Sequence, residues 1–237
     1  MPKRKRSVSR RIRWPGNFGV ALIDIVIIRI LLPTGAVSFG LLASHQNWGV
    51  LNFLAWPYWA EVPTALLVLD LAIYLQHRLF HGVPALWRLH RMHHADIDVD
   101  VTTGNRFHPL EILLSMGIKF GVIVTLGAPA LAVLVFEILL NATSLFNHSN
   151  LRVHPRVEPL LRWIVVTPDM HRVHHSVFHD ETDSNYGFNF PVWDRLFRTY
   201  RREPRDGHGA MHLGLPQFRD LRESKLVRLL TQPFRNS

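Results

Sequence analysis

The 237-residue chain contains no cysteine. That excludes a disulfide framework and removes the thiolates on which closed structural zinc sites usually depend. Acidic residues are also scarce, with 18 Asp plus Glu against 27 Lys plus Arg and a net charge of +9. An excess of that size would suit nucleic acid, but the basic residues are placed otherwise. They gather at Lys3, Arg4, Lys5, Arg6, Arg10, Arg11 and Arg13 and again from Arg195 onward, on either side of long apolar runs. Charge flanking apolar spans is what anchors a membrane protein at its cytoplasmic face, so no nucleic-acid partner is expected. The N-terminus is basic and then apolar, yet it lacks a small-residue cleavage site and reads as an uncleaved first span.

The apolar runs set the architecture. Residues from Phe18 to Ala43 are almost wholly apolar, enough for the roughly 20 residues of a bilayer crossing, interrupted by Asp24 and Arg29, which pair with each other, snorkel to the interface or face other helices. A second run, Val50 to Leu75, opens with the interfacial aromatics Trp48, Trp56, Tyr58 and Trp59. Pro57 and Pro63 predict a broken entry, with a firm helix from Thr64. A third, Leu110 to Leu145, is split by Gly127 and Pro129 into a helical hairpin. The fold class is therefore all-α: an integral-membrane bundle of about four embedded helices, capped by a cytoplasmic helical domain. An even number of passes with basic residues at both ends predicts both termini in the cytoplasm.

Histidine supplies the chemistry. Eight of the fifteen fall in three clusters: His77 and His81 in HRLFH, His90, His93 and His94 in HRMHH, and His171, His174 and His175 in HRVHH. Spacings of three or four share a helix face, so each cluster can aim several imidazoles at one point. Asp70, Tyr74, His77 and His81 follow one another at such spacings, which puts the first cluster at the polar end of a membrane helix with Asp70 deeper. Pro84 breaks that helix, Trp87 to His94 begins the next, and Asp96 to Thr103 reads as a polar loop. Eight imidazoles are too many for one tetrahedral ion, whereas two ions about 3.5–4 Å apart share them and keep positions open. Imidazole suits zinc as well as iron; open positions favour iron and oxygen chemistry. His148, at the exit of the hairpin, lies at the same polar boundary and is an additional candidate ligand. Asp70, His108 and Glu111 are candidates to support the ligands from behind, Glu111 falling in the first turn of a helix that Pro109 opens.

In order, DLAIYLQHRLFH, LWRLHRMHH, NRFHPLE, NHSN, TPDMHRVHH and NYGFNFPVWDRLFRTY resemble the fatty acid hydroxylase, or sterol desaturase, superfamily of integral-membrane di-iron enzymes. Within it, the RFHPLE and NYG..WDRLF.T wording is more similar to the bacterial sterol-desaturase-like and alkylglycerol-monooxygenase-like branch. The resemblance divides the chain into a basic segment (1–17), membrane helices (18–68), a catalytic domain (69–200) and a basic tail (201–237). It implies a centre of two iron ions held by His77, His81, His90, His93, His94, His171, His174 and His175, with His148 in addition. It further implies O2 as co-substrate, hydroxylation or desaturation of a lipid C–H bond, and a bacterial inner-membrane location. Nothing in the chain resembles a flavin, nicotinamide or haem-binding segment, so a ferredoxin, a cytochrome b5 or a reductase is the expected electron donor, steered by Arg195, Arg198, Arg201 and Arg202.

Two other readings stand beside this one. A membrane zinc hydrolase would want a glutamate inside a histidine cluster to serve as base, and none contains one. A non-enzymatic metal or haem carrier would not need so many imidazoles converging at the end of an apolar approach.

Overall fold

The computed structural model describes residues 1–54 and 56–235. The described residues form helices joined by turns, with two isolated β-bridges and no strand among them. Four long helices make the bundle: α1 (Arg10–Leu31), α4 (Tyr58–Gly82), α6 (Pro109–Leu126) and α7 (Ala130–Asn147). Between the first two lie α2 (Gly35–His45) and α3 (Val50–Leu54), and α5 (Pro84–His94) follows α4. The remaining helices are short: α8 (Glu158–Leu161), α9 (Pro168–His174), α10 (His179–Thr182), α11 (Val192–Leu196), α12 (Gly207–Ala210) and α13 (Leu226–Thr231).

Four segments are long and apolar enough to cross a membrane: Arg10–Leu54, α4, α6 and α7. At 1.5 Å per residue, α1 is about 33 Å long, α4 about 37 Å and α6 and α7 about 27 Å each, against a hydrocarbon layer of about 30 Å. The 45-residue first segment is not one rod, because the turn at Leu32, Pro33 and Thr34 separates α1 from α2, which packs against α6 and α7. The protein is a membrane-embedded helical bundle, and its apolar core lies where α2, α4, α6 and α7 meet, around Ala65, Leu69, Phe120, Ile123, Val133 and Phe136.

Local chemistry sets the ends of these helices. Pro57 precedes α4, which runs unbroken through Pro63 and so begins six residues before Thr64. His108 caps α6, its Nδ1 accepting from the Leu110 N–H at 3.2 Å, with Pro109 as the first helical residue. Gly127 ends α6 in the left-handed region (φ 70°), as the turn into α7 requires. Asp24 is buried and Arg29 exposed, and no ion pair joins them among the described residues.

The basic N-terminal segment is part of this framework. The α1 helix starts at Arg10, and Arg13 is wholly buried, gripping Asp96 through Nε and Nη2, both at 2.7 Å, and Asp100 through Nη1 at 3.0 Å. The polar loop from Asp96 to Thr103 is thus largely buried and pinned to α1. Further along, Lys3 pairs with Asp169 at 2.6 Å, and the backbone carbonyl of Gln232 accepts from Arg91 at 2.6 Å. Both ends of the described chain therefore pack on the end of the bundle that carries the histidines.

Candidate metal centre

Three helices and one helix end deliver the imidazoles. His77 and His81 come from the last two turns of α4, His90, His93 and His94 from α5, and His171, His174 and His175 from α9 and its cap. The α9 helix is nucleated by Thr167, whose hydroxyl caps the Met170 N–H, followed by Pro168 at the first position. His148 caps the C-terminus of α7 and is wholly buried. Gly104 packs against it: a Cβ at that position would stand 3.2 Å from His148 Nδ1.

The nine side chains converge as two groups, His77, His81, His90, His94 and His174 in one and His93, His148, His171 and His175 in the other. Within each group one ring nitrogen per residue lies within 4.8 Å of all the others. Closest approaches are 3.2 Å for His77–His90 and His90–His94, 3.1 Å for His93–His148 and 2.9 Å for His148–His171, all between Nε2 atoms. Two imidazole nitrogens bonded to one ion at about 2.1 Å and at right angles stand about 3 Å apart. The spacing is that of donors around a cation.

Ring orientation fits the same arrangement. Carbonyl oxygens can only accept, so Nδ1 of His77, His148 and His174 donates to the carbonyls of Tyr186, Ser144 and Ser184, each at 2.8 Å. That leaves Nε2 as a lone-pair donor facing the group. His90 Nδ1 meets Glu111 Oε1 at 2.6 Å and His81 Nδ1 meets Asp183 Oδ1 at 3.1 Å. Nε2 of His81, His174 and His175 is buried and has no hydrogen-bond partner among the described residues. Buried nitrogens left in this state are costly unless a cation takes them. Burial, and then the neighbouring imidazoles, hold His93, His94, His171, His174 and His175 well below the usual histidine range, and burial lowers His148 to about 4. All six are neutral at pH 7, the form that ligates.

The other candidates lie as follows. Glu111 touches His90 from the first turn of α6. Asp70 accepts from Trp193 Nε1 at 2.7 Å and the Phe190 N–H at 3.3 Å, so it ties α4 to the chain after the third cluster and touches no imidazole. His108 belongs to neither group, since its Nε2 reaches the Leu230 carbonyl at 3.2 Å. Asp183 also supports a ligand candidate: it lies just after the third cluster, where the sequence offers a carboxylate eight residues beyond His175, and it meets His81. Asp194 accepts from the N–H groups of Tyr186 and Gly187, both at 2.8 Å, which fixes the carbonyl that holds His77. Of the arginines on this side, Arg195 is stacked 3.8 Å over Trp163 and Arg201 pairs with Asp180 at 2.6 Å, while Arg198 and Arg202 are exposed.

A cavity of about 220 Å³ opens beside the first group. His77, His90 and Glu111 line one end, and α1, α4, α6 and α7 supply the walls. Phe107, stacked 4.4 Å from His93, and Phe188 close it on the histidine side.

Fold and site together define a membrane-embedded helical protein with two adjoining all-histidine groups, each able to hold a metal ion, at one end of its bundle. The profile of the family described as fatty acid hydroxylase matches residues 62–199, more than half of the sequence, and the chain belongs to that family. It is 34% identical over 150 residues to an ornithine lipid hydroxylase of Rhizobium tropici, covering 63% of this chain and 44% of that protein. It is 29% identical over 150 residues to an alkylglycerol monooxygenase of Xenopus tropicalis (61% of this chain, 30% of the relative). A fatty acid hydroxylase from a Lecanicillium species is 28% identical over 170 residues (66% and 46%). The chain thus spans less than half the length of these curated relatives. No solved structure matches it.

Proposed function

We propose that the chain is a membrane-bound non-haem di-iron oxygenase that hydroxylates or desaturates a C–H bond of a lipid. The observation that carries this reading is the pairing of five and four imidazoles at the end of a membrane-level cavity. His77, His81, His90, His94 and His174 would hold one iron and His93, His148, His171 and His175 the other, leaving open positions on each. Bound iron would supply dioxygen activation, and zinc could substitute for it on the same donors.

The chain's own residues do the rest. Neutral imidazoles would leave bound ions their full positive charge, and the Tyr186, Ser144 and Ser184 carbonyls fix ring orientation. The largely apolar cavity wall would bring a lipid to the centre and keep bulk water from it. Hydroxylation balances as R–H plus O2 plus two electrons and two protons giving R–OH and water, so an external donor such as a ferredoxin, cytochrome b5 or reductase is required. Lipids of the kinds named for the relatives, ornithine lipids and alkylglycerols, are the first substrates to try. The centre would face the cytoplasm of a bacterial inner membrane, following the basic termini that pack around it.

Elemental analysis of the detergent-purified protein tests this directly. About two irons per chain are expected, lost together in a His90→Ala, His174→Ala variant. One zinc, or metal that the variant does not disturb, would refute the proposal.

A further inference from the structure

The cavity is not lined as a plain alkyl tunnel. Along α6, Glu111, Ser115 and Lys119 follow one another at four-residue intervals and all face it. The same wall carries Gln76 of α4 and Asn141 of α7. Spacing of that kind stacks the groups on one helix face, so a polar stripe about 12 Å long runs from the glutamate on His90 into the membrane-embedded part of the bundle. Ser115 Oγ accepts from Gln76 Nε2 at 2.7 Å, while Gln76 Oε1 is buried and has no partner among the described residues. Lys119 is nearly buried (side chain 7% exposed) and meets Glu137 Oε1 at 2.6 Å.

Polar and ionic side chains at this depth are costly and persist where they serve a pathway or a ligand. Lys119 of this pair lines the cavity besides joining α6 to α7. The charges also say what kind of ligand fits. Lys119 is matched by Glu137, and Glu111 adds a carboxylate at the metal end, so the wall offers no unmatched cation for an anion. It offers an unfilled acceptor on Gln76, the Ser115 hydroxyl and the spare ammonium hydrogens of Lys119.

We propose that Gln76, Ser115 and Lys119 form a subsite for an uncharged hydrogen-bonding head or linkage of the lipid, a hydroxyl, ether or amide, and that the carbons next to that head are the ones presented to the centre. The inference rests on the lipid-oxygenase reading for its chemistry but concerns binding alone. Ser115 stands one helical turn from Glu111, about 6 Å along the axis, so a head held there cannot leave a distant chain terminus at His77 and His90. A bare hydrocarbon would leave the Gln76 oxygen unpaired.

The test is equilibrium binding to the iron-loaded protein without oxygen, so that turnover plays no part. Displacement of tritiated 1-O-hexadecylglycerol is measured with the unlabelled lipid, with hexadecane and with hexadecanoate. Wild type is expected to bind the alkylglycerol about tenfold or more tighter than hexadecane, the yield of two hydrogen bonds, and hexadecanoate no tighter than the alkylglycerol. In a Gln76→Leu, Ser115→Ala variant the preference should shrink to about threefold or less, with hexadecane affinity unchanged as proof of an intact cavity. If that variant does not fold, Ser115→Ala alone should lower the preference about threefold. Equal binding of the three ligands by wild type, tighter binding of hexadecanoate, or a preference that survives the substitutions would overturn the subsite. A protein without iron or turnover that keeps the preference would instead refute the oxygenase reading.

Discussion

Glu111→Leu separates the two histidine groups. In the first, four of five imidazoles have Nδ1 fixed by an oxygen: Tyr186 for His77, Asp183 for His81, Glu111 for His90 and Ser184 for His174. In the second only His148 is so held, by Ser144, and Nδ1 of His93, His171 and His175 has no partner among the described residues. An acceptor behind a ligating imidazole sets its tautomer and raises its basicity, and removing one lowers metal affinity about 10- to 100-fold, or about 1.4 to 2.7 kcal/mol. Leucine fills the space without adding a polar group, and Glu111 Oε2 has no other partner to lose among the described residues. Titrating the iron-loaded variant with a chelator and following iron retained per chain should show one ion released at about 10- to 100-fold lower chelator concentration and the other released as in wild type. Glu111→Gln, which keeps an acceptor and loses the charge, should fall between. Unchanged retention, or both ions lost in parallel, would refute the assignment of Glu111 to one ion.

Three further outcomes follow from the same geometry. His148→Ala takes a donor from the second group only, so iron content should drop by about one per chain and the remaining ion should keep its wild-type chelator resistance. Arg13→Ala takes from the buried Asp96 and Asp100 their nearest cation, leaving Arg106 at 3.5 Å and Arg6 at 3.7 Å, and should destabilise the protein by up to about 3–5 kcal/mol, read from denaturation in detergent; a loss below about 1 kcal/mol would mean that those arginines or water take the guanidinium's place. For pH, burial keeps His93, His94, His171, His174 and His175 neutral in the folded state well below the range where an unfolded histidine protonates. The unfolded chain therefore binds more protons below pH of about 6.5, and the stability of chelator-treated protein should fall as pH drops from 7 to 5, by up to about 1.4 kcal/mol per pH unit for each such histidine. A melting temperature that is flat or rises over that interval would contradict the burial of these rings.

Much of the centre is written in helical spacing. Residues four apart share a face, while adjacent residues point about 100° apart. Each i, i+4 pair falls within one group: His77 with His81, His90 with His94, His171 with His175. Each HH doublet is divided, His93 from His94 and His174 from His175, because neighbours on a helix cannot aim at one point. HRLFH, HRMHH and HRVHH therefore contain the division of their own eight imidazoles into five and three once the approach of α5 and α9 is known, and His148, from NHSN, completes the four. That approach itself is not local. It depends on Asp70 tying the chain after α9 to α4, on Asp194 fixing the turn at Tyr186 and Gly187, and on Arg13 holding the loop after α5. Arg13 sits among seven basic residues in the first thirteen, and charge pattern alone gives no reason to distinguish it from its exposed neighbours Arg10 and Arg11. What marks it is three aspartates at alternate positions, Asp96, Asp98 and Asp100, eighty residues downstream. Those carboxylates would be a solvated loop in any chain that lacked a cation to bury with them. The same reason hides the polar stripe of the cavity: Lys119 and Glu137 lie 18 residues apart, and only the register set by the left-handed turn at Gly127 makes them neighbours. One side chain of a buried pair looks like a defect in an apolar helix until the partner's position is known, and the chemistry of this protein was least legible at such pairs.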